Sequence, residues 1–161
     1  MRGARSGGTV VDLRPEREGF RMPTESEWEL AARGGQSTAY AFGGDVELLV
    51  DYGWYDRNAM KRPHPTAKKR PTISGLYDAH GNLYEWTFDR IDQPQLPSLL
   101  VDFLGSEVGN GRILRGGSWS YAADRSRSAY RDDDDPYSSG SSFGFRLALT
   151  PSELPVSIKG D

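Results

Sequence analysis

Few side chains in this protein can do covalent or metal chemistry. Among its 161 residues there is no cysteine, and the histidines number two, His64 and His80. Without thiols there are no disulfides, no cysteine-held zinc sites and no thiolate nucleophiles. A Ser-His-Asp triad is formally available, but no serine lies in a nucleophile-elbow pattern. Two charge clusters remain. Lys61, Arg62, Lys68, Lys69 and Arg70 lie among three prolines between Lys61 and Pro71, a composition that suits a localisation signal or a nucleic-acid patch in a basic protein. Here 23 acidic residues outnumber 20 basic ones, for a net charge of −3. A solvated loop is therefore the expectation, with neither nucleic acid nor an anionic membrane as partner. Asp132 to Asp135 repel one another unless solvated, bound to a cation or turned toward a basic partner.

The elements that position these groups are short. The length suits one domain with one core, and 19 glycines and 10 prolines point to frequent turns. Four Trp, eight Tyr and six Phe supply large buried areas from a modest apolar fraction of 36%. The strongest local signal begins at Thr24, an N-cap whose capping box is completed by Glu27, with Gly34-Gly35 ending the helix. Trp28, Ala31 and Ala32 share its apolar face, and Glu29 pairs with Arg33 on its surface. A shorter helix is expected around Val46 to Val50. Strands are expected at Thr9 to Leu13, Arg112 to Arg115 and Phe145 to Leu149. Residues 93–110 read as an insertion. Residues 1–18 read as a flexible lead or remnant strand, 19–150 as the domain and 151–161 as a tail. The reading is α+β, loop-rich, with short strands and few helices. No signal peptide or membrane-length apolar stretch is visible, so a cytoplasmic location is expected.

Four blocks then occur in order: RMPTESEWELAARGG from Arg21 to Gly35, GLYDAHGNLYEW from Gly75 to Trp86, RILRGGSW from Arg112 to Trp119, and GFRL from Gly144 to Leu147. Together they resemble the formylglycine-generating enzyme, or sulfatase-modifying factor, family over about Gly19 to Leu149. The resemblance implies a C-type-lectin-like fold, truncated at the N-terminus, where family members carry a strand and a helix before the first block. Thr9 to Leu13 would then replace the missing edge strand, pairing with Phe145 to Leu149.

The oxidising members of that family bind copper(I) through a cysteine pair after the GGS block. Soft thiolates select copper(I), and oxygen ligands do not substitute. The first of those cysteines falls near Tyr121, so no copper and no catalytic residue are expected. Non-haem iron relatives suggest a two-histidine-one-carboxylate site, which would need both His64 and His80; iron is not expected either. The resemblance also implies a calcium ion held by Asp78, Gly81, Leu83 and Glu85. Hard Ca²⁺ takes carboxylate and carbonyl oxygens, and Gly81 lets the backbone curl to present them. Two readings stand: that calcium site, or a Gly-Asn turn with Asp78 as its cap and Glu85 paired to an arginine. Trp28, Trp86, Arg115 and Arg146 are expected to be structural, the arginines satisfied internally.

Residues 118–143 include eight Ser, three Tyr and five Asp. Tyrosine gives amphipathic contact area at low entropy cost, and Ser with Gly gives adaptable hydrogen bonding, as in a paratope. The segment also resembles the variable region of retroelement-diversified C-type-lectin proteins, which share the GGSW and GFRL frame. Trp119, Tyr121, Tyr130, Asp132, Tyr137 and Phe143 are the expected ligand-binding residues. The functional expectation is a binding or regulatory module for a protein or small-molecule ligand, within a larger multidomain protein. The rival is a divergent metal-dependent oxidoreductase of the same family.

Overall fold

Thr24 sets the first element. Its hydroxyl accepts from the Glu27 N–H at 3.2 Å and the Glu27 carboxylate accepts from the Thr24 N–H at 2.8 Å, closing the capping box. In the computed structural model, which describes residues 19–91 and 111–150, helix α1 (Glu25–Arg33) follows this cap and ends at Gly34, left-handed at φ 56°. Trp28 and Ala32 are buried as expected. Ala31 is exposed, contrary to expectation. The apolar stripe is narrower than the pattern suggested, because Glu25 and Glu29 on the flank of Trp28 engage arginines in place of apolar neighbours.

The expected helix at Val46 to Val50 is a 3₁₀ turn (Val46–Leu48) running into helix α2 (Leu49–Tyr52), with Asp45 capping its start. The main sheet has four strands: β2 (Tyr84–Arg90), β3 (Arg112–Arg115), β4 (Arg131–Asp134) and β5 (Phe143–Phe145), in the order β4-β3-β2-β5. β3 lies antiparallel to β2 with Glu85 opposite Arg115, and β5 lies parallel to β2 with Trp86 opposite Phe145. β1 (Gly19–Arg21) and β6 (Ala148–Thr150) form a separate antiparallel pair.

Phe145 to Leu149 is not one strand. It divides into β5 and β6, which belong to different sheets, because Arg146 turns in to Glu85 between them. β6 pairs with Gly19–Arg21. The Thr9 to Leu13 strand, the residue 93–110 insertion and the 151–161 tail lie outside the described residues. Three strands, β1, β2 and β4, were not anticipated, and β4 is built on the Asp run, a poor strand former. It pairs in register with β3 and forms the edge, where charge blocks further strand addition.

Two apolar clusters make the core. Trp28, Ala32 and Ala79 pack with Leu76; Tyr40, Leu49 and Tyr55 pack with Phe42 and Ala123. Between them runs the GLYDAHGNLYEW loop, whose backbone is bonded on both sides: Gly81 N–H to the Gly116 carbonyl, and Asn82 N–H to the Trp54 carbonyl, both at 2.7 Å. Gly81 is closely confined. It has φ 97°, and a Cβ there would lie 2.2 Å from the Trp54 oxygen. Gly81→Ala is therefore expected to lower stability by at least about 2 kcal/mol, from strain plus overpacking, read as a shift of the denaturant midpoint at unchanged slope.

Candidate functional site

The second and fourth blocks meet at Glu85. Its Oε2 accepts from Trp28 Nε1 at 2.6 Å and Arg146 Nε at 2.5 Å, and its Oε1 accepts from Arg146 Nη2 at 2.7 Å. This two-point fork is the strong form of an arginine–carboxylate pair. Burial is the largest single influence on Arg146 and works against its charge, but the bond to Glu85 together with the charges of Glu85 and Asp78 leaves that guanidinium pKa raised. Arg115, fully buried, donates to the Ser128 and Tyr130 carbonyls, both at 2.6 Å, and to Glu29 at 2.5 Å. Both arginines thus find carbonyl or carboxylate partners, while the buried Arg115 Nε has none among the described residues. Trp86 is only half-buried and packs on Phe143, with ring centroids 5.4 Å apart.

Of the proposed calcium ligands, Asp78 is buried with Oδ2 accepting from the Ala67 N–H at 3.0 Å. Its Oδ1 has no hydrogen-bond partner, and burial raises its pKa, opposed by the Ala67 bond and by Arg146. Glu85 offers no such vacancy. Both its oxygens are engaged by a guanidinium that a second cation would have to displace. A calcium ion at these four residues would have to compete with Arg146 for Glu85, whereas Asp78 keeps one carboxylate oxygen without a partner. Among the described residues no three acidic or histidine side chains converge.

The two histidines are likewise committed. His80 Nε2 accepts from the Ala41 N–H at 3.1 Å, so Nδ1 carries the proton and donates to the Ser126 carbonyl at 2.8 Å. Burial, with a smaller push from Arg146, lowers its pKa to about 4, although the Ser126 bond opposes the shift. His64 stacks on Trp54 at 3.8 Å between centroids and contacts the Ala59 carbonyl through Nε2.

The segment from Trp119 to Phe143 is held by its main chain. Trp119 N–H donates to the Asn82 carbonyl, Ser128 N–H to Ala39 and Tyr84 N–H to Ser142. The expected binding residues fall into three places. Tyr121, Tyr130 and Asp132 gather about Arg125, whose guanidinium lies 4.8 Å from the Tyr121 ring and 5.5 Å from the Tyr130 ring and donates to Asp132 at 3.0 Å. Trp119 donates through Nε1 to the Ser141 carbonyl at 2.9 Å, on the side where Phe143 meets Trp86. Tyr137 stands apart on the turn after β4, 93% exposed.

Arg125 and Tyr84 are the residues sequence reasoning missed. Tyr84 packs edge-on against Tyr121 at 5.3 Å, and its buried hydroxyl has no hydrogen-bond partner among the described residues. The placing of Arg125 and Arg127 between Tyr121 and Tyr130 was the available signal for Arg125. Nothing marked Tyr84 apart from its block. Ser120 bridges Ser118 and Ser142 through hydroxyl contacts of 3.1 Å each, tying the two ends of the segment together.

This frame of a polar-braced sheet carrying long ordered loops defines the class. The chain belongs to the sulfatase-modifying factor enzyme 1-like domain family, which it matches over residues 3–151. It is 37% identical over 147 residues to the formylglycine-generating enzyme of Streptomyces coelicolor, covering 81% of this chain and 46% of that protein. It is 35% identical over 134 residues to the serine/threonine-protein kinase Pkn1 of Chlamydia trachomatis, covering 81% of this chain and 21% of the kinase. The solved structure of Treponema denticola variable protein 1 superposes with a TM-score of 0.79 at 38% identity, covering 88% of this chain and 50% of that one. Against the enzyme and the solved structure, the chain spans about half the length of its relative. With no cysteine, it has no copper-binding thiolate pair, and Tyr121 near the first of those positions is packed against Tyr84.

Two outcomes follow from the geometry. His80 is held neutral in the fold, so the unfolded chain binds a proton that the folded one refuses as pH falls from 6.5 toward about 4. Stability present above pH 6.5 declines across that window by on the order of 3 kcal/mol, and a His80→Gln variant followed by denaturant titration at stepped pH lacks this component. Chelation by EDTA is expected to leave the melting temperature unchanged within about 1 °C, whereas loss of a bound ion held at 100-fold above its dissociation constant would remove about 2.7 kcal/mol.

Proposed function

We propose that this chain is a binding domain of the sulfatase-modifying factor family, working through the Trp119–Phe143 surface without the cysteine–copper oxidase reaction. The observation that carries the reading is a serine- and tyrosine-rich segment fixed through its main chain while side chains such as Tyr121 and Tyr137 face solvent. Such a surface offers pre-organised aromatic contact with little entropy left to lose on binding. The superposition on a protein named as variable supports the same reading. The similarity to a stretch of the kinase Pkn1 supports a role as one module of a larger protein. The ligand class is a protein or small molecule; the acidic edge at Asp132 to Asp135 favours a basic partner in the protein case.

The oxidoreductase reading requires a redox metal. Of the four ring nitrogens of its candidate ligands His64 and His80, three engage Ala59, Ala41 and Ser126.

The test pans a random peptide phage library against the immobilised chain. Enriched peptides are expected to lose at least about tenfold in affinity, about 1.4 kcal/mol, on Tyr121→Ala or Tyr137→Ala, with the near-ultraviolet circular dichroism unchanged. Peptides that bind both variants as well as the parent would overturn the assignment of the surface. Stoichiometric iron or copper in the purified protein, measured by plasma mass spectrometry, would overturn the non-oxidase reading.

A further inference from the structure

The β1·β6 sheet is patterned the wrong way round for a surface sheet. Side chains alternate between its faces, so Phe20, directly opposite Leu149, shares a face with it and with Leu147 two residues earlier. That face looks outward: Phe20 is 73% exposed, Leu147 57% and Leu149 60%, and Phe145 continues the row at 65%. The polar residues turn the other way. Arg21 is buried, donating through Nε to Thr150 at 2.6 Å and through two nitrogens to Glu27 at 2.6 and 2.7 Å, while Arg146 points in to Glu85. Water therefore meets the phenylalanines and leucines, and the protein interior meets the arginines. A strand with this alternation is specified to be covered on its apolar side.

Two further observations indicate what covers it. The described chain enters this sheet at Gly19 and leaves it at Thr150, so polypeptide joined at either end emerges beside the exposed row. The superposition on Treponema denticola variable protein 1 leaves about half of that chain unmatched while fitting 88% of this one. The formylglycine-generating enzyme of Streptomyces coelicolor likewise has more than half its length outside the match.

We propose that the Phe20–Phe145–Leu147–Leu149 face is an internal surface of the whole family fold, and that its occupant is a polypeptide carrying the half of that fold which these 161 residues do not match. The occupant presents an apolar face to this row. It leaves the Trp119–Phe143 surface untouched, so the two sites are separable by experiment.

The unmatched portion of the Treponema protein, produced as a separate polypeptide, serves as the probe. The 161-residue chain alone is expected to enhance the fluorescence of the apolar dye ANS. Adding the probe lowers that signal severalfold and gives a 1:1 complex in sedimentation velocity. The double variant Phe20→Ser and Leu149→Ser weakens the complex at least tenfold, and Leu147→Ser alone acts in the same direction; all three positions are exposed, and near-ultraviolet circular dichroism checks that Trp28 stays packed. Tyr137→Ala leaves the complex intact. The proposal is overturned by any of three results: no complex with the probe, a complex indifferent to the serine variants, or a stable homodimer that covers the row and excludes the probe.

Discussion

The fold depends on one carboxylate. Glu85 sits on the central strand β2 and holds the indole of Trp28 from α1 and the guanidinium of Arg146 from the segment between β5 and β6. Three elements distant in sequence are therefore fixed to one point. Removing either charge would strand the other in the interior, where an unpaired ion costs far more than the pair contributes. The geometry also explains the break in the last strand. A continuous Phe145 to Leu149 strand would carry Arg146 away from Glu85.

The same device recurs around α1. Glu25 takes Arg131 through two nitrogens, Glu27 takes Arg21, and Glu29 takes Arg115, so three successive odd-numbered acids of one helix clamp arginines from β4, β1 and β3. With so few aliphatic side chains inside, much of the interior is ordered by charge-assisted bonds in place of apolar packing. Such bonds are directional. They hold long loops in one arrangement where a purely apolar core would tolerate several.

Much of this was legible in the residues because it is local. A capping box, a C-terminal glycine and an apolar i, i+4 pair are written within ten residues, and α1 followed them closely. The block pattern carried the family and the α+β class. Long-range pairings were less accessible. Nothing adjacent to Arg146 announces that it will turn inward, and the Asp run has no propensity for the strand it forms; register with β3 overrides it. The run from Phe145 to Leu149 suggested one continuous strand and gave no sign that Leu147 and Leu149 would face outward. Arg125 escaped notice because its role exists only once Tyr121, Tyr130 and Asp132 have been brought around it.

At Trp119, Ser128 and Ser142 the bonds that hold the Trp119–Phe143 segment come from peptide N–H and carbonyl groups, beside side-chain bonds such as those of Ser120 and Arg131. A peptide group donates and accepts in the same way whatever side chain it carries. Substitutions along the solvent side of this segment therefore leave its anchoring bonds in place, and the energetic penalty for new side chains is confined to their local contacts. The scaffold separates the sequence that must stay fixed, in the arginine–carboxylate braces, from sequence free to drift. A surface supported in this way is mutationally robust, able to change what it contacts without renegotiating how it folds.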